Sequence, residues 1–493
     1  MQRRPYWPVI LGFAAVKFAF HLYASGNYSY FRDELYYIAC GRHLDWGFVD
    51  HPPLIAIYAR IGELFGPSLR GFRLLATLAG TLRIILTGVL AARLGGGRAA
   101  QALACGAVLL TPIYLGIDTI LTMNAFEHLF WMACLLIVIE IAHGASEKWW
   151  LAFGALAGLG LQNKHSMAFL GAALVMAMLL TPMRRSLARP WIWLGGAIAL
   201  VVFAPNLIWQ WQRGFLTLEL LRNVKETGKN VVLAPIPFLQ QQAMILNPFA
   251  APIWIAGLIA LFRVREHRVL AWTYVVVLAL FIRLEAKDYY VAPIYPMLFA
   301  AGAVWIASRR WTQIAAWLLV LAGLIAVPIV TPILPPPQFL AYQRALGVKP
   351  QASEVSHTSE MPQVFADQFG WEEMVAMVAR YYHSLPEAER AKTAIYCGNY
   401  GQAGAIDFYG PKYELPPAMS GHQNYFYWGT HGYTGESVIL IGDDPDAEDW
   451  QSLGVVGKRF HPYAMPEENS VIYHGRGLKK PLREVWPSVK DWR

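Results

Sequence analysis

Residues 149–181 read WWLAFGALAGLGLQNKHSMAFLGAALVMAMLLT. A helix needs about 20 predominantly apolar residues to cross a bilayer, so this stretch is either one long tilted crossing or two short ones broken at Gln162-Asn163-Lys164-His165. The choice fixes the orientation, because every loop downstream changes side with it. Loop charges decide between the two. Arg3-Arg4, the run Arg93 to Arg98, Arg184-Arg185 with Arg189, the run Arg263 to Arg268, and Arg309-Arg310 share one face if both halves cross, and by the positive-inside rule that face is the cytoplasm.

Outward from this point, apolar runs at 7–23, 72–94, 99–116, 121–142, 149–162, 166–181, 191–212, 248–263, 268–284, 289–306 and 312–333 read as spans. The expected fold class is a polytopic α-helical membrane protein of about 11 transmembrane helices. Of the 493 residues, 56% are hydrophobic and only 15% charged, against about 25% charged in an ordinary globular chain; the mean hydropathy is +0.34. A soluble enzyme, a disordered regulator and a disulfide scaffold are excluded. The net charge of +8 comes from 41 basic and 33 acidic residues. The basic residues gather in short loops, which is topology rather than nucleic-acid affinity. Arg3 and Arg4 ahead of an apolar stretch resemble a signal peptide, but Lys17 and His21 interrupt that stretch, and a retained first helix is expected. The four cysteines show no metal-ligand spacing.

The non-cytoplasmic face receives residues 24–71, 116–120, 213–247 and 285–288 and the tail from about 335, where Pro335-Pro336-Pro337 forms a stiff exit. The expected domains are a transmembrane catalytic domain over 1–335, with 24–71 as its first outer loop, and a small non-cytoplasmic α/β domain over 350–493. In the tail, 393–397, 437–441 and 470–473 read as strands and 372–382 as an amphipathic helix. Gly398, Gly401 and Gly404 follow a strand without forming GxGxxG, and read as a tight strand-to-helix turn. Asn424-Tyr425-Phe426-Tyr427-Trp428 is either a sugar-stacking platform or the edge of a β-rich core.

Tyr30-Phe31-Arg32-Asp33-Glu34-Leu35-Tyr36-Tyr37 places two acids among aromatics just after the first span. Partial burial there raises a carboxylate toward the range of a general base; equally, the acids start an interfacial helix, where they suit the N-terminal dipole. Asp50-His51-Pro52-Pro53 adds an acid, an imidazole and a stiff turn. His43, Asp50 and His51 are conceivable ligands for a divalent metal, though no second histidine at helical spacing supports one. Asp118 lies in the next outer turn, and Asn124 and Glu127 share a helix face beyond it. Lys17 and Arg83, inside spans, need counter-charges, for which Glu127 is the candidate partner; an anionic lipid phosphate is the other. Lys287, Tyr289 and Tyr290, ahead of Pro293 and Pro296, offer charge and phenol donors to a phosphate, or else form an interfacial belt. Lys164 is a plain turn residue or faces the same anion.

Taken together, Asp33-Glu34 with Tyr36-Tyr37, the His51-Pro52-Pro53-Leu54 turn, Leu121 to Glu127 and the Lys287 to Pro296 stretch resemble the bacterial family 39 type of glycosyltransferases, relatives of protein O-mannosyltransferases and of the lipid A aminoarabinose transferase. The resemblance covers roughly residues 1–335. It implies the membrane-embedded GT-C fold and inverting transfer of a sugar from a polyprenyl-phosphate carrier to an acceptor (lipid, glycan or protein) on the non-cytoplasmic face of the plasma, or inner, membrane. It further implies Asp33 as catalytic base and Lys287 with Tyr289 or Tyr290 at the carrier phosphate, whose departing charge must be stabilised. Relatives often carry a second-loop aspartate where this chain has Asn124, so Asp118 or Glu127 would have to stand in for it. The competing reading is a transporter or lipid flippase with Lys17, Arg83 and Glu127 along its path; no inverted repeat of spans supports it. A non-catalytic anchor for the tail is the third.

Overall fold

Six helices are long and apolar enough to cross a membrane in the computed structural model, which describes residues 3–307, 311–350, 354, 359–442 and 444–492. They are Trp7–Ala24, Leu74–Arg93, Met123–Ala142, Pro190–Gln212, Asp288–Ile306 and Thr312–Val330; counting each of two sharply bent helix pairs as one span gives up to eight. The expectation of about 11 is therefore not met by length and composition. Helices do form at the other sites, but they are short: Arg98–Leu109, Trp149–Asn163, Met167–Leu179, Ala251–Arg263 and Arg268–Arg283 run 12 to 16 residues. The break at Gln162 to His165 is real: the first helix ends at Asn163, Lys164 is extended, and the next helix starts at Met167.

The chain divides into two compact units. The first comprises residues 1–27, 65–209 and 232–335 and holds the apolar helices. Glycines let several of these helices touch backbone to backbone. A Cβ on Gly257 would strike the Leu298 carbonyl, and one on Gly302 the Ile253 carbonyl, so the Ala251–Arg263 and Tyr295–Ile306 helices approach as closely as two helices can. Gly154 and Gly195 do the same for the Trp149–Asn163 and Pro190–Gln212 helices. Between apolar helices in lipid, such close packing replaces the hydrophobic drive that water supplies elsewhere. Val201 and Trp317 stay 72% and 74% exposed, as residues facing hydrocarbon would.

The second unit comprises 28–64, 210–231 and 336–493, so the first polar loop clusters with the tail. Its sheet has the order β2-β1-β3-β5-β4, where β1 is Thr393–Cys397, β2 Ala418–Met419, β3 Ser437–Ile441, β4 Trp450–Lys458 and β5 Val471–Leu478. β2, β1 and β3 are parallel, while β5 and β4 pair antiparallel. β3 is buried along its whole length, which is why it reads as a continuous apolar run. The helix Trp371–Ser384 extends slightly beyond the amphipathic segment at 372–382.

The three glycines after β1 have a packing role as well as a turn role. Asn399 caps the Tyr400–Tyr409 helix by accepting from the Gly401 and Gln402 amides. A Cβ on Gly401 would meet the Arg32 side chain and one on Gly404 the Leu35 backbone, so both glycines seat this helix on Arg32–Arg42. Tyr425–Trp428 is a short helix rather than a β-edge.

Candidate active site

The first-loop acids separate into two roles. Glu34 is fully buried, and its Oε2 accepts from the Phe31 amide at 2.8 Å, satisfying a free donor at the helix start. One oxygen of this carboxylate thus serves the backbone at the helix start. Asp33, one residue earlier, is half-buried, and its Oδ1 accepts from the Tyr400 hydroxyl at 2.7 Å. Burial pushes its carboxyl above the usual aspartate range, with Asp50 and Glu354 adding to the rise and Arg32 and the Tyr400 bond opposing it. Tyr400, half-buried beside Asp33, is held by desolvation well above the ordinary phenol value and stays protonated. A basic carboxylate with one lone-pair set engaged and the rest available is what proton abstraction requires.

Around it lie aromatic rings. Tyr36 packs on Tyr400 with centroids 4.9 Å apart and donates its hydroxyl to Asp50 Oδ1 at 3.1 Å. His51 is fully buried between Phe48, Tyr36 and Tyr37, and its Nδ1 lies 2.9 Å from the Pro52 carbonyl. Its environment is that of a packed core imidazole. Among the described residues no three His, Cys, Asp or Glu groups gather as metal ligands. A cavity of about 290 Å³ opens elsewhere in this unit, lined by Arg42, His43, Asp407, Tyr425, Trp428 and His431 among others. Two residues of the aromatic run at 424–428 thus face it.

In the first unit the break at Lys164 builds a second constellation. Lys164 Nζ donates to Asn124 Oδ1 at 2.7 Å and to Glu127 Oε2 at 3.0 Å. Asn124 and Glu127, three residues apart, therefore share one helix face and one partner. Ser166 donates to the other Glu127 oxygen, and the ammonium stands 4.2 Å from the Tyr290 ring centroid and 5.9 Å from that of Tyr289. Lys287 is half-buried; its carbonyl accepts from the Tyr290 amide at 3.1 Å, its side chain makes no hydrogen bond among the described residues, and its charge bears on the adjacent Asp288. The Pro293 region is a 3-10 helix, Asp288–Ile294, whose Asp288 carbonyl accepts from Gln242 Nε2 at 2.9 Å. The Ala292 carbonyl, which Pro296 leaves without its helical donor, accepts from the Tyr114 hydroxyl at 2.8 Å, so a side chain on a neighbouring helix satisfies backbone that a proline frees.

The pairing of Lys17 and Arg83 with Glu127 is corrected. Both cations meet Asp118: Lys17 Nζ lies 2.6 Å from Oδ2 and Arg83 donates to Oδ1 at 2.5 Å, all three buried. Lys17 also donates to the Tyr114 carbonyl at 2.9 Å, and Arg83 stacks over the Tyr114 ring at 4.6 Å. Gly80 makes room, since a Cβ there would meet the Asp118 carboxyl carbon at 2.7 Å. Asp118 and Arg83 are thereby locked in a structural ion cluster rather than offered to a pocket, and the supposed transport path loses two of its charges. Glu127 serves Lys164 instead.

Comparison with known proteins adds sequence and fold. Residues 50–209 match the family described as dolichyl-phosphate-mannose-protein mannosyltransferase. The lipid A galacturonosyltransferase RgtD of Rhizobium johnstonii is 28% identical over 308 residues, 58% of this chain and 62% of the relative, so the match spans less than two thirds of that protein. The crystal structure of ArnT from Cupriavidus metallidurans bound to undecaprenyl phosphate superposes with a TM-score of 0.58 at 15% identity, over 95% of this chain and 98% of ArnT. Its apo form gives 0.57 at 15% identity, over 94% and 97%. At that identity the likeness is one of fold. With the sequence matches it bears out the resemblance read from the motifs: the chain is similar to membrane glycosyltransferases of the family 39 type.

Proposed function

We propose that the protein transfers a sugar from a polyprenyl-phosphate carrier to a lipid acceptor of the lipid A type, at the non-cytoplasmic face of the inner membrane. The observation that carries this reading is Asp33: a half-buried carboxylate of raised basicity, oriented by a neutral tyrosine hydroxyl. The carrier class is supported by the undecaprenyl phosphate in the ArnT structure of the same fold, and the acceptor class by RgtD.

In the reaction Asp33 takes the proton of the acceptor hydroxyl as its oxygen bonds to the anomeric carbon. The bond from that carbon to the phosphate oxygen breaks on the opposite side, and the configuration inverts. The carrier phosphate gains charge as it leaves. Lys164 and Lys287, with the Tyr289 and Tyr290 hydroxyls, are assigned to that charge; Asn124 and Glu127 hold the Lys164 ammonium in place beforehand, so little reorganisation is needed. No metal is required by this scheme. Counting the short helices as crossings too gives eleven, and with the basic loops in the cytoplasm this reading puts residues 336–493 on the non-cytoplasmic side. The test is transfer in proteoliposomes from a panel of undecaprenyl-phosphate sugars to lipid A. Acceptor-dependent release of undecaprenyl phosphate is expected; its absence with every donor would overturn the reading.

A further inference from the structure

Beside Asp33 lies a carboxylate that the scheme above does not use. Asp367 is 1% exposed, and neither of its carboxylate oxygens has a hydrogen-bond partner among the described residues. Its backbone carbonyl is well engaged, accepting from the Arg32 amide at 3.0 Å and from Trp371 Nε1 at 2.9 Å. The nearest cation is Arg32, whose Nη2 lies 3.6 Å from Asp367 Oδ2 while Nη1 lies 3.4 Å from Glu467 Oε1. Both distances exceed the roughly 2.7–2.9 Å of a full charge-assisted hydrogen bond. Arg32 Nε is buried without a partner as well. A guanidinium stretched between two carboxylates, bonded at full strength to neither, is set to move toward whichever is more negative.

We propose that Asp367 is a positioning residue for Asp33: ionised, it draws the Arg32 guanidinium away from Asp33 and leaves that carboxylate the stronger base. The inference rests on Asp33 being the base. Burial raises the Asp367 carboxyl to about 7, against the pull of Arg32, with Asp33, Glu468 and Glu467 adding to the rise. Its charge therefore changes within the working range of an envelope enzyme. The other groups facing this cluster behave differently. Glu468, bonded to Arg459 at 2.5 Å and to Asn399 and Gln402 at 2.9 Å each, is held below the glutamate range and stays ionised. Tyr400 stays neutral. Glu467 is raised by burial and competes for Arg32 from the more exposed side; Asp50 and Glu354 push Asp33 upward. With Asp367 protonated, Arg32 stabilises the Asp33 anion and weakens the base. With Asp367 ionised, two anions share one cation and Asp33 holds its proton more tightly.

The test reads Asp33 directly, by the pH dependence of carbodiimide labelling, which needs a protonated carboxyl, quantified by peptide mass spectrometry on the full-length protein in detergent. In Asp367→Asn the labelling midpoint of Asp33 is expected to fall by about one pH unit, the scale of one nearby charge. In Arg32→Gln it is expected to rise, and adding Asp367→Asn to that background should lower it by less than it does in the native protein, because the cation that links them is gone and only the direct repulsion of the two carboxylates remains. An unchanged midpoint in Asp367→Asn, or in Arg32→Gln if the first variant does not fold, overturns the coupling. Transfer that survives Asp33→Asn would overturn the base itself, and so the two failures are told apart.

Discussion

Lys164 shows what one residue does in a chain where charge is costly. It sits at a helix break with a carboxylate, an amide and two phenol rings around it. A charge-assisted hydrogen bond contributes about 1.5–3 kcal/mol, so Lys164→Met should weaken undecaprenyl phosphate binding by roughly 10- to 100-fold, measured by competition in the transfer assay. A binding constant within twofold of the native protein would remove it from the phosphate site. Asp118 answers for stability instead. Asp118→Ala strands Lys17 and Arg83 without their counter-ion, and breaking a buried pair costs about 3–5 kcal/mol; a sharply lower midpoint in a detergent thermal-aggregation assay is expected. Asp367 gives a pH-dependent counterpart. Its carboxyl rises from 3.8 to about 7 on folding, so the folded state holds the proton that the unfolded state releases, and stability falls as pH rises through that window. Asp367→Asn should therefore raise the thermal midpoint at pH 8 and give no such gain at pH 4. Charges inside apolar runs or just beside them mark themselves in the sequence, which is why Asp33, Glu127 and Lys164 could be singled out. Their partners do not, because whether Lys17 meets Glu127 or Asp118 depends on how each helix is rotated. Asp367, one acid in a polar tail, carries no sequence signal at all.

At the scale of elements, the apolar runs located the helices, and the turn residues located the breaks. Lengths were harder: 99–116 reads as one span but is two helices, Arg98–Leu109 and Pro112–Ile117, because Pro112 begins a new helix after Thr111. In the tail, β1 and β3 fall on the runs 393–397 and 437–441, whereas β4 has mostly exposed or half-exposed positions and three polar or glycine residues within Gln451 to Gly454, leaving no apolar alternation to find. Gly257 and Gly302 show why the short helices hold. Their contact is backbone on backbone, and Gly302→Leu should force the Ala251–Arg263 and Tyr295–Ile306 helices apart, with loss of the monodisperse peak in size-exclusion chromatography. Gly171, which a Cβ would leave without any neighbour within 4 Å, is the control: Gly171→Leu should behave as the native protein does.

For the whole molecule the decisive property is which way it faces. All four cysteines are buried, so a single added thiol on the surface reports its own side of the membrane. In spheroplasts, a membrane-impermeant maleimide should label Lys480→Cys in the tail and leave Arg185→Cys in the basic loop unlabelled until the cells are lysed. The reverse pattern would turn the assigned topology over and move the tail to the cytoplasm. The loop charges are what this orientation is read from, since they are a property of composition and need no folded structure. The grouping of residues 28–64 with the tail was not legible, because the glycines that seat the Tyr400–Tyr409 helix on Arg32–Arg42 lie some 370 residues from the loop they contact.

The central claim is that a single carboxylate at the start of the first outer helix removes the acceptor's proton. The most direct measurement is turnover of the native protein and Asp33→Asn in the same proteoliposomes, with undecaprenyl-phosphate sugars as donors and lipid A as acceptor, after both have been shown to bind undecaprenyl phosphate equally. The asparagine keeps the shape and an oxygen for the Tyr400 hydroxyl but cannot take a proton, so turnover should fall by about 10²-fold or more, the lower range of general-base catalysis, with donor binding intact. Undiminished turnover in Asp33→Asn would contradict the account.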